Sequence, residues 1–424
     1  MPRREIERSL RLMYAGGPGD IIGTWRHWKE GRDDPGQVAM TYSGQFYDAC
    51  RELGANGYAI GYHPRRERVG DGQFRVEHRP VYFRTASAPL YHLGQTYSAM
   101  QMVVRALRFR ADAFVVCDGT CRWFPLRMLP LLGVKVIPTV HCVLWTRNRP
   151  PVGKVRRFLA MLDRPFWRRS AKAILSASLD ITKQIDEATG AVHAPVIHFL
   201  PTYRAGTFDS TPPPQSRAPF RMLFAGRIEA YKGVFDLLEI AKRFAADGRD
   251  GIEFDLCGTG SAIEELKRKV GEAGLSSRFR VHGHCDRAKM RQMFRECHVL
   301  IVPTTTDFPE GFNQVVVEGI LAGRPVITSS VCPALDYVRE AVVEVPPDDV
   351  GAYHDAIVRL HDDVSLYEQK RAASVALQGQ FYDPKRGWAA ALLKAIGGNG
   401  ATTESGDRSY NELKEPVESV GRIG

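Results

Sequence analysis

The stretch that decides the fold is VPTTTDFPEGFNQVVVEG, residues 302–319. An apolar strand runs into a polar loop, and the loop leads into a helical pattern that we predict to start near Gly311. The first N–H groups of a helix have no partner within it, so those of Gly311, Phe312 and Asn313 are expected to favour an anion or sugar oxygens.

Two carboxylates belong to the same stretch. Glu310 stands just before the predicted helix and Glu318 about two turns into it, so they lie ~12 Å apart along the axis. That separation suits hydroxyls at opposite ends of an extended ligand such as a nucleotide-sugar. The alternative is a helix-dipole partner and a surface glutamate, although Glu318 stands in an apolar run and a buried glutamate needs a partner.

A second unit of the same kind precedes it. In FAGRIEAYKG, residues 224–233, a strand ends at Gly226, and Arg227 and Lys232 follow on a loop. Ligands of parallel α/β sheets bind at the carboxyl ends of strands, and a guanidinium with an ammonium suits a diphosphate. Two solvated basic residues are the open alternative.

A third unit is LCGTGS, residues 256–261, in which Gly258 and Gly260 let a ligand approach the backbone closely. It is not a dinucleotide fingerprint, because the third glycine and a following acidic residue are missing. A purely structural turn is equally compatible with it.

Outward from these units, short apolar strands alternate with helical patterns in two blocks. Strands are predicted at residues 10–15, 58–62, 113–117, 134–140 and 173–176, and then at 220–225, 252–257, 278–281, 299–302 and 325–328. Helices are predicted at residues 45–53, 97–108 and 156–168, and then at 235–246, 262–273, 289–297 and 315–322. This alternation predicts two doubly wound α/β domains.

The domain limits follow from composition. We predict a first domain over residues 1–201, a proline-rich linker at 202–217 and a second domain at 218–375. A C-terminal helix at 376–396, interrupted near Asp383, is predicted to cross back to the first domain. The polar tail at 397–424 is predicted to be disordered.

Charge is distributed unequally between the halves. The 424 residues carry a net charge of +10, with +13 in residues 1–201 and −3 in residues 202–424. A basic chain suggests nucleic acid, anionic lipid or phosphorylated small molecules as partners. No nucleic-acid module with stacking aromatics is present, so nucleic acid is not expected.

Cysteines and apolar runs narrow the class further. None of the eight cysteines forms a Cys-x-x-Cys pair, which argues against a zinc ribbon and favours reduced thiols. No apolar run approaches the ~20 residues that span a bilayer. We therefore expect a cytoplasmic protein, soluble or peripheral on the inner face of the membrane.

Taken together, the three units resemble the retaining GT-B glycosyltransferases of family four, the glycosyl transferases group 1. The Gly-Arg-x4-Lys-Gly element, the Gly-x-Gly, the glutamates eight positions apart and the AGRPVI run at 322–327 occur in that family's order. The resemblance is clear over residues 218–350 and weaker in the first half. Two departures are Asn313, where a small residue is usual, and Pro-Thr-Tyr-Arg at 201–204, where Pro-Asn-Gly-Val is common.

The resemblance implies a GT-B fold, with two Rossmann-like domains facing across a cleft, and it implies a role for each matching residue. Arg227 and Lys232 would hold the donor diphosphate, Glu318 the ribose, and Glu310 the donor sugar. Further donor contacts are implied at Gly226, Gly258, Gly260, Gly283 and the amides of Gly311, Phe312 and Asn313. On the first domain, His141 would reach the sugar or acceptor, and Gly16 and Gly17 would border the acceptor.

The implied reaction moves a sugar from a nucleoside-diphosphate-sugar to a sugar or lipid-linked acceptor, in polysaccharide or glycolipid synthesis. It needs no cofactor and no metal, because Arg227 and Lys232 stabilise the leaving diphosphate. The family is thought to use front-face substitution, so Glu310 is not assigned as a nucleophile. Three alternatives stay open: an epimerase on the same fold, a catalytically silent nucleotide-sugar-binding subunit and a nicotinamide dehydrogenase.

Two segments of the first domain invite further hypotheses. Residues 17–40, with Trp25 and Trp28, are interpreted as an acceptor-facing loop or as a packed surface loop. Residues 147–172 hold nine basic residues and one acid, interleaved with Phe158, Leu159, Leu162, Phe166 and Trp167. That segment is interpreted as a core-facing helix with a solvated basic face, or as a docking site for an anionic membrane.

Overall fold

Two mainly parallel sheets organise the chain. The structure is a computed structural model that describes residues 8–80, 87–146, 153–208, 212, 214 and 216–397. The first sheet has eight strands in the order β3-β4-β2-β1-β5-β6-β7-β8, and the second has six in the order β11-β10-β9-β12-β13-β14. Among the strands of the described residues, β3 and β4 are the one pair that runs antiparallel. The prediction of two doubly wound domains is confirmed.

The first domain holds β1 to β8 and α1 to α6. Its strands are β1 Arg11–Pro18, β2 Asn56–Tyr62, β3 Glu67–Gly70, β4 Phe74–Arg79, β5 Ala113–Cys117, β6 Lys135–Val140, β7 Ile174–Ser176 and β8 Val196–His198. Its helices are α1 Ile21–Lys29, α2 Tyr42–Glu52, α3 Ala88–Phe109, α4 Met128–Leu131, α5 Lys154–Pro165 and α6 Leu179–Thr189.

The second domain holds β9 to β14 and α7 to α14. Its strands are β9 Phe220–Ala225, β10 Ile252–Cys257, β11 Phe279–Gly283, β12 Val299–Val302, β13 Val326–Ser329 and β14 Val342–Val345. Its helices are α7 Val234–Ala246, α8 Ile263–Glu272, α9 Arg287–Glu296, α10 Gln314–Leu321, α11 Leu335–Val338, α12 Val350–Asp362, α13 Val364–Leu377 and α14 Gly379–Tyr382. A last helix, α15 Trp388–Ile396, returns to the first domain.

The position of the helices follows from crossover handedness. Strands such as β5 and β12 are buried along their whole length, as expected for strands covered on both faces. The chain moves in one direction from β1 to β2 and in the other from β4 to β8. Right-handed crossovers therefore put α1 and α2 on one face of the first sheet and α3 to α6 on the other.

Several elements of the first domain escape the sequence pattern. Strand β4 carries charges at alternate positions, β3 has four residues of which two are charged, and β8 has three residues. The interpretation of residues 17–40 as an acceptor-facing loop is wrong for its aromatic residues. Asp20 caps α1 by accepting from the Gly23 N–H at 2.7 Å, Trp25 is buried, and Trp28 packs on Tyr47.

The predicted linker is packed rather than free. Tyr203 and Phe208 are buried in the core of the second domain, and the Tyr203 N–H donates to the Phe381 carbonyl at 3.0 Å. The predicted helix at 376–396 is two helices, and the chain crosses back between them at residues 383–387. Trp388 then enters the first core. The tail predicted at 397–424 lies, beyond Gly397, outside the described residues.

Candidate active site

Three turns meet at the carboxyl ends of β9, β10 and β11. The Gly226 N–H donates to the Cys257 carbonyl at 2.9 Å, and the Gly258 N–H donates to the Gly283 carbonyl at 2.7 Å. A Cβ on Gly258 would lie 1.7 Å from the Gly226 carbonyl oxygen, and one on Gly260 2.1 Å from that of Ile228. The immediate reason for these glycines is therefore contact between loops, and their donor contacts stay a prediction.

Arg227, Lys232 and Glu310 converge around two stacked rings. The rings of Tyr231 and Phe308 lie 4.6 Å apart and nearly parallel. The Arg227 guanidinium lies 5.5 Å from both ring centres, and the Lys232 ammonium lies 4.2 Å from that of Phe308. Lys232 also forms an ion pair with the largely buried Glu310. The structure thus brings together three predicted residues, and it adds two aromatic ones that no sequence signal had marked.

The loop between β12 and α10, residues 303–313, differs from its prediction in one respect. Helix α10 begins at Gln314 with Asn313 as its N-cap, so the amides of Gly311 to Asn313 precede the helix rather than form its first turn. A helix start near Gly311 is therefore wrong, and Glu318 lies one turn into α10 rather than two. Within the described part of the chain, the buried oxygens Asn313 Oδ1 and Thr304 Oγ1 have no hydrogen-bond partner. Buried polar atoms of this kind are expected to bind a ligand or water.

Glu318 lies half-buried on α10 beside a residue of the linker. Burial raises the pKa of its carboxyl to about 7, and a hydrogen bond with the Tyr203 hydroxyl offsets part of the shift. That hydroxyl also lies 3.4 Å from the Gln314 carbonyl. Tyr203 stands at the point where the sequence departs from the Pro-Asn-Gly-Val pattern, and its contact with Glu318 is long-range, so the sequence could not indicate it.

His141 ends β6 on the first domain. Asp118 fixes this strand end, because its carboxylate accepts the N–H groups of His141 at 3.1 Å and Cys142 at 3.0 Å. The His141 ring lies 4.3 Å from the Tyr42 ring, and its Nε2 lies 3.1 Å from Thr139 Oγ1. Its Nδ1 has no partner among the described residues. Burial lowers the pKa of His141, which keeps the imidazole neutral at pH 7.

Gly16 and Gly17 lie at the end of β1, next to β5. The Gly17 backbone hydrogen-bonds the Cys117 thiol, and that sulfur lies 3.7 Å from His141 Nε2. The predicted acceptor loop at the end of β1 and the predicted cleft histidine at the end of β6 are therefore separated by one strand, β5.

The two domains touch at the predicted sugar site. A Cβ on Gly311 would lie 1.7 Å from the His141 carbonyl oxygen, so the loop between β12 and α10 packs against the end of β6. Beside this contact, a cavity of about 180 Å³ opens to solvent. It is lined from the first domain by Val143, Trp145, Asp180, Lys183, Gln184 and Glu187, and from the second by Thr306, Phe308, Glu310, Ser330, Val331 and Pro347.

Neither a metal-binding cluster nor a membrane-spanning helix occurs in the described residues. Over these ranges, no group of three or more His, Cys, Asp or Glu side chains is arranged to hold a metal ion. None of the helices in the same ranges is long and apolar enough to cross a membrane.

Solved structures share the two-domain architecture. HepE of Anabaena, solved in complex with UDP, superposes with a TM-score of 0.61 at 14% identity, over 92% of this chain and 98% of that one. Sucrose-phosphate synthase of Thermosynechococcus elongatus gives a TM-score of 0.64 at 14% identity, over 95% of this chain and 99% of that one. The fold is GT-B, as the resemblance implied.

Sequence comparison relates the second domain to a known family. The glycosyl transferases group 1 family matches residues 211–374. Alpha-D-kanosaminyltransferase of Streptomyces kanamyceticus is 24% identical over 63% of this chain and 72% of its own length. D-inositol 3-phosphate glycosyltransferase of Xylanimonas cellulosilytica is 27% identical over 41% of this chain and 40% of its own length. The whole chain thus has the GT-B fold, and residues 211–374, which include most of the second domain, match glycosyl transferases group 1.

Proposed function

We propose that this protein is a retaining glycosyltransferase that moves a sugar from a nucleoside-diphosphate-sugar to a hydroxyl acceptor. The observation that carries the proposal is the convergence of Arg227 and Lys232 over Phe308, beside Glu310 and at a strand end. Two fixed cations at this position are suited to a diphosphate, which is the group that leaves during transfer.

The leaving group explains the use of each cation. Negative charge develops on the departing diphosphate, and a preorganised positive charge stabilises it most effectively where water is excluded. In the structure, the Lys232 ammonium is neutralised by Glu310. A bound diphosphate would compete for that ammonium and free Glu310 to accept from sugar hydroxyls. Arg227 and Lys232 supply the charge that a divalent metal supplies elsewhere, so we propose transfer without a metal.

The other predicted contacts complete the donor site. The orphaned oxygens of Asn313 and Thr304 are suited to hydroxyl or amide donors of the ligand. Glu318, once ionised, accepts from ribose hydroxyls. The neutral His141 has a free Nδ1 for the sugar or acceptor. HepE was solved in complex with UDP and glucose, which supports a nucleoside diphosphate and a sugar at the corresponding cleft of this fold.

The acceptor is proposed to enter through the cavity between the domains. Its lining combines the Trp145 ring with Lys183 and Gln184. An aromatic face with a few polar groups is a usual environment for a sugar. A sugar or lipid-linked acceptor fits this lining, consistent with polysaccharide or glycolipid synthesis.

One experiment tests the proposal. Thermal shift with uridine, guanosine and adenosine diphosphate sugars identifies the donor, and proton NMR of the product then gives the anomeric configuration, with and without EDTA. The expected results are stabilisation by one donor, an axial or equatorial anomer that matches the donor, and no effect of EDTA. An inverted anomer, or a donor that is only epimerised, would contradict it. Donor binding with neither transfer nor slow hydrolysis would indicate a silent subunit.

A further inference from the structure

Helix α3 exposes a continuous apolar seam on the first domain. The side chains at every third and fourth position are 38–61% exposed: Leu90, Leu93, Tyr97, Met100, Val104 and Leu107. The opposite side of the same helix contributes Ala99, Met102, Val103 and Ala106 to the core. The helix is thus apolar on two sides, and within the described residues the core of the first domain packs against one of them.

Two neighbouring helices expose apolar side chains as well. On and just after α4, Met128, Leu131 and Leu132 are exposed, Leu131 by 87%. On α5, Val155, Phe158 and Met161 are exposed by 54–59%. The interpretation of Phe158 as a core residue is therefore wrong, whereas Phe166 and Trp167, just after α5, are buried.

The three helices present one common face. Right-handed crossovers put α3, α4 and α5 on the same side of the sheet. Arg122 joins two of them, because its guanidinium hydrogen-bonds His92 of α3 and lies 3.7 Å from Asp163 of α5. The Phe124 N–H also donates to Asp163 at 2.9 Å. We call the eleven exposed apolar side chains of α3, α4 and α5, together with Leu132, the apolar face.

The chain that builds this face is almost free of acids. Residues 78–165 contain fourteen Lys and Arg and three acids, Asp112, Asp118 and Asp163. Asp112 and Asp118 lie at the ends of β5 and accept backbone N–H groups, from Arg11 at 2.8 Å and from His141 and Cys142, and Asp163 is buried. Exposed basic residues stand among the apolar ones: Arg108, Arg127, Lys154, Arg156 and Arg157.

We propose that the apolar face docks on an anionic lipid bilayer. Apolar side chains that enter the acyl boundary, surrounded by Lys and Arg that meet the headgroups, are the composition of an interfacial site. A second copy of this chain is a poorer occupant, because α3 itself contains no Asp or Glu that could pair with Arg108 of the other copy. The proposal extends the basic segment predicted at 147–172, of which residues 147–152 lie outside the described residues, to a surface of three helices.

Docking would also place the cleft near the lipid. The loop before α5 carries Val143 and Trp145, which line the cavity between the domains. Gln184 holds that loop, since its side chain accepts from the Leu144 N–H at 2.7 Å and donates to the Trp145 carbonyl at 2.9 Å. This step rests on the proposed function, because it matters only if the acceptor is lipid-linked.

The test is co-sedimentation of the full chain with vesicles of phosphatidylcholine alone or mixed with phosphatidylglycerol. We expect binding to the mixed vesicles at low salt, weaker binding at high salt, and little binding to phosphatidylcholine. The variant Leu93→Ser/Leu131→Ser/Phe158→Ser is expected to lower partition at least ~tenfold. The control Val364→Ser/Val375→Ser changes exposed apolar residues of the second domain and is expected to bind like the wild type.

The outcomes separate this proposal from the proposed function. Wild-type protein that stays in the supernatant with anionic vesicles, or a triple variant that still sediments, would overturn docking. So would a wild-type dimer in light scattering that becomes a monomer in the triple variant without any vesicle binding. Donor binding and slow donor hydrolysis, measured without vesicles, are expected to be unchanged in both variants. If the wild type shows neither donor binding nor donor hydrolysis, the result counts against the proposed function and leaves the docking proposal standing.

Discussion

The second domain presents its site on short loops, whereas the first presents its site through backbone and rings. In the second domain, Arg227 and Lys232 lie five positions apart and reach one aromatic ring. In the first, His141 is set by a carboxylate from β5, a ring from α2 and a hydroxyl from β6. The difference teaches that the two cations of the second domain come from one short segment, whereas the surroundings of His141 are assembled mostly from residues far apart in sequence.

The largest expected effect falls on the local side of this comparison. Arg227→Ala should lower transfer by ~100-fold or more, because one preorganised charge at a leaving group contributes ~3 kcal/mol. The melting temperature should stay unchanged. Initial rates with the identified donor measure the effect, and Lys242→Ala, an exposed cation of α7 paired with Glu239, is the control. Near-normal turnover of Arg227→Ala would break the assignment.

A smaller effect is expected on the long-range side. His141→Ala should lower the rate by about tenfold to a hundredfold, because a neutral imidazole contributes a hydrogen bond rather than a charge. Affinity for the free nucleoside diphosphate should be unchanged, since that group is proposed to bind the second domain. Kinetics and calorimetry of the same variant test the split, with His193→Ala, which pairs with Asp186, as the control. A weakened diphosphate affinity would contradict it.

The smallest effect concerns Glu318, where linker and second domain meet. Burial raises its pKa to about 7, so the population of the ionised form, which is proposed to bind ribose, grows as the pH rises. The affinity ratio of wild type to Glu318→Gln should be near one at about pH 6 and approach about tenfold at about pH 8. Calorimetry with a nucleoside diphosphate measures this affinity ratio. Titration of the phosphate affects the wild type and Glu318→Gln equally, so it does not change the ratio.

The same shift predicts a stability trend of opposite sign. The folded state holds a proton on Glu318 that the unfolded chain has already released, because the folded pKa lies above the ordinary glutamate value. The wild type should therefore lose stability relative to Glu318→Gln as the pH rises from about 5 to about 8. A ratio of affinities and a stability difference that both stay constant with pH would remove the proposed role of Glu318.

How much the sequence predicts also differs between the domains. In the second, the strands at 220–225, 252–257 and 299–302 are predicted to the residue, because these mainly apolar runs are bounded by glycine or proline. In the first, α1 was missed because a run containing Gly23 and Thr24 has weak helical propensity, and only burial of Trp25 and the Asp20 cap fix it.

The site follows the same division. The glycines, the two cations and Glu310 are visible as motifs, whereas Asp118 and Tyr203 act through partners 23 and 111 positions away. Phe308 and Tyr231 stand inside the quoted motifs, yet their stacking depends on how two loops fold over one another. Single-sequence periodicity carries no information on contacts of this kind.

Trp388 links the site to the order in which the chain is made. Its indole N–H donates to Thr139 Oγ1 at 2.9 Å across 249 residues, its ring fills the first core, and the same hydroxyl touches His141. A nascent first domain leaves the ribosome without this buried side chain, whereas strands β9 to β14 emerge before α15. Synthesis of the first domain thus starts before that of the second, but its core is complete only after the sheet of the second domain has been synthesised. A partly synthesised chain therefore lacks a complete cleft.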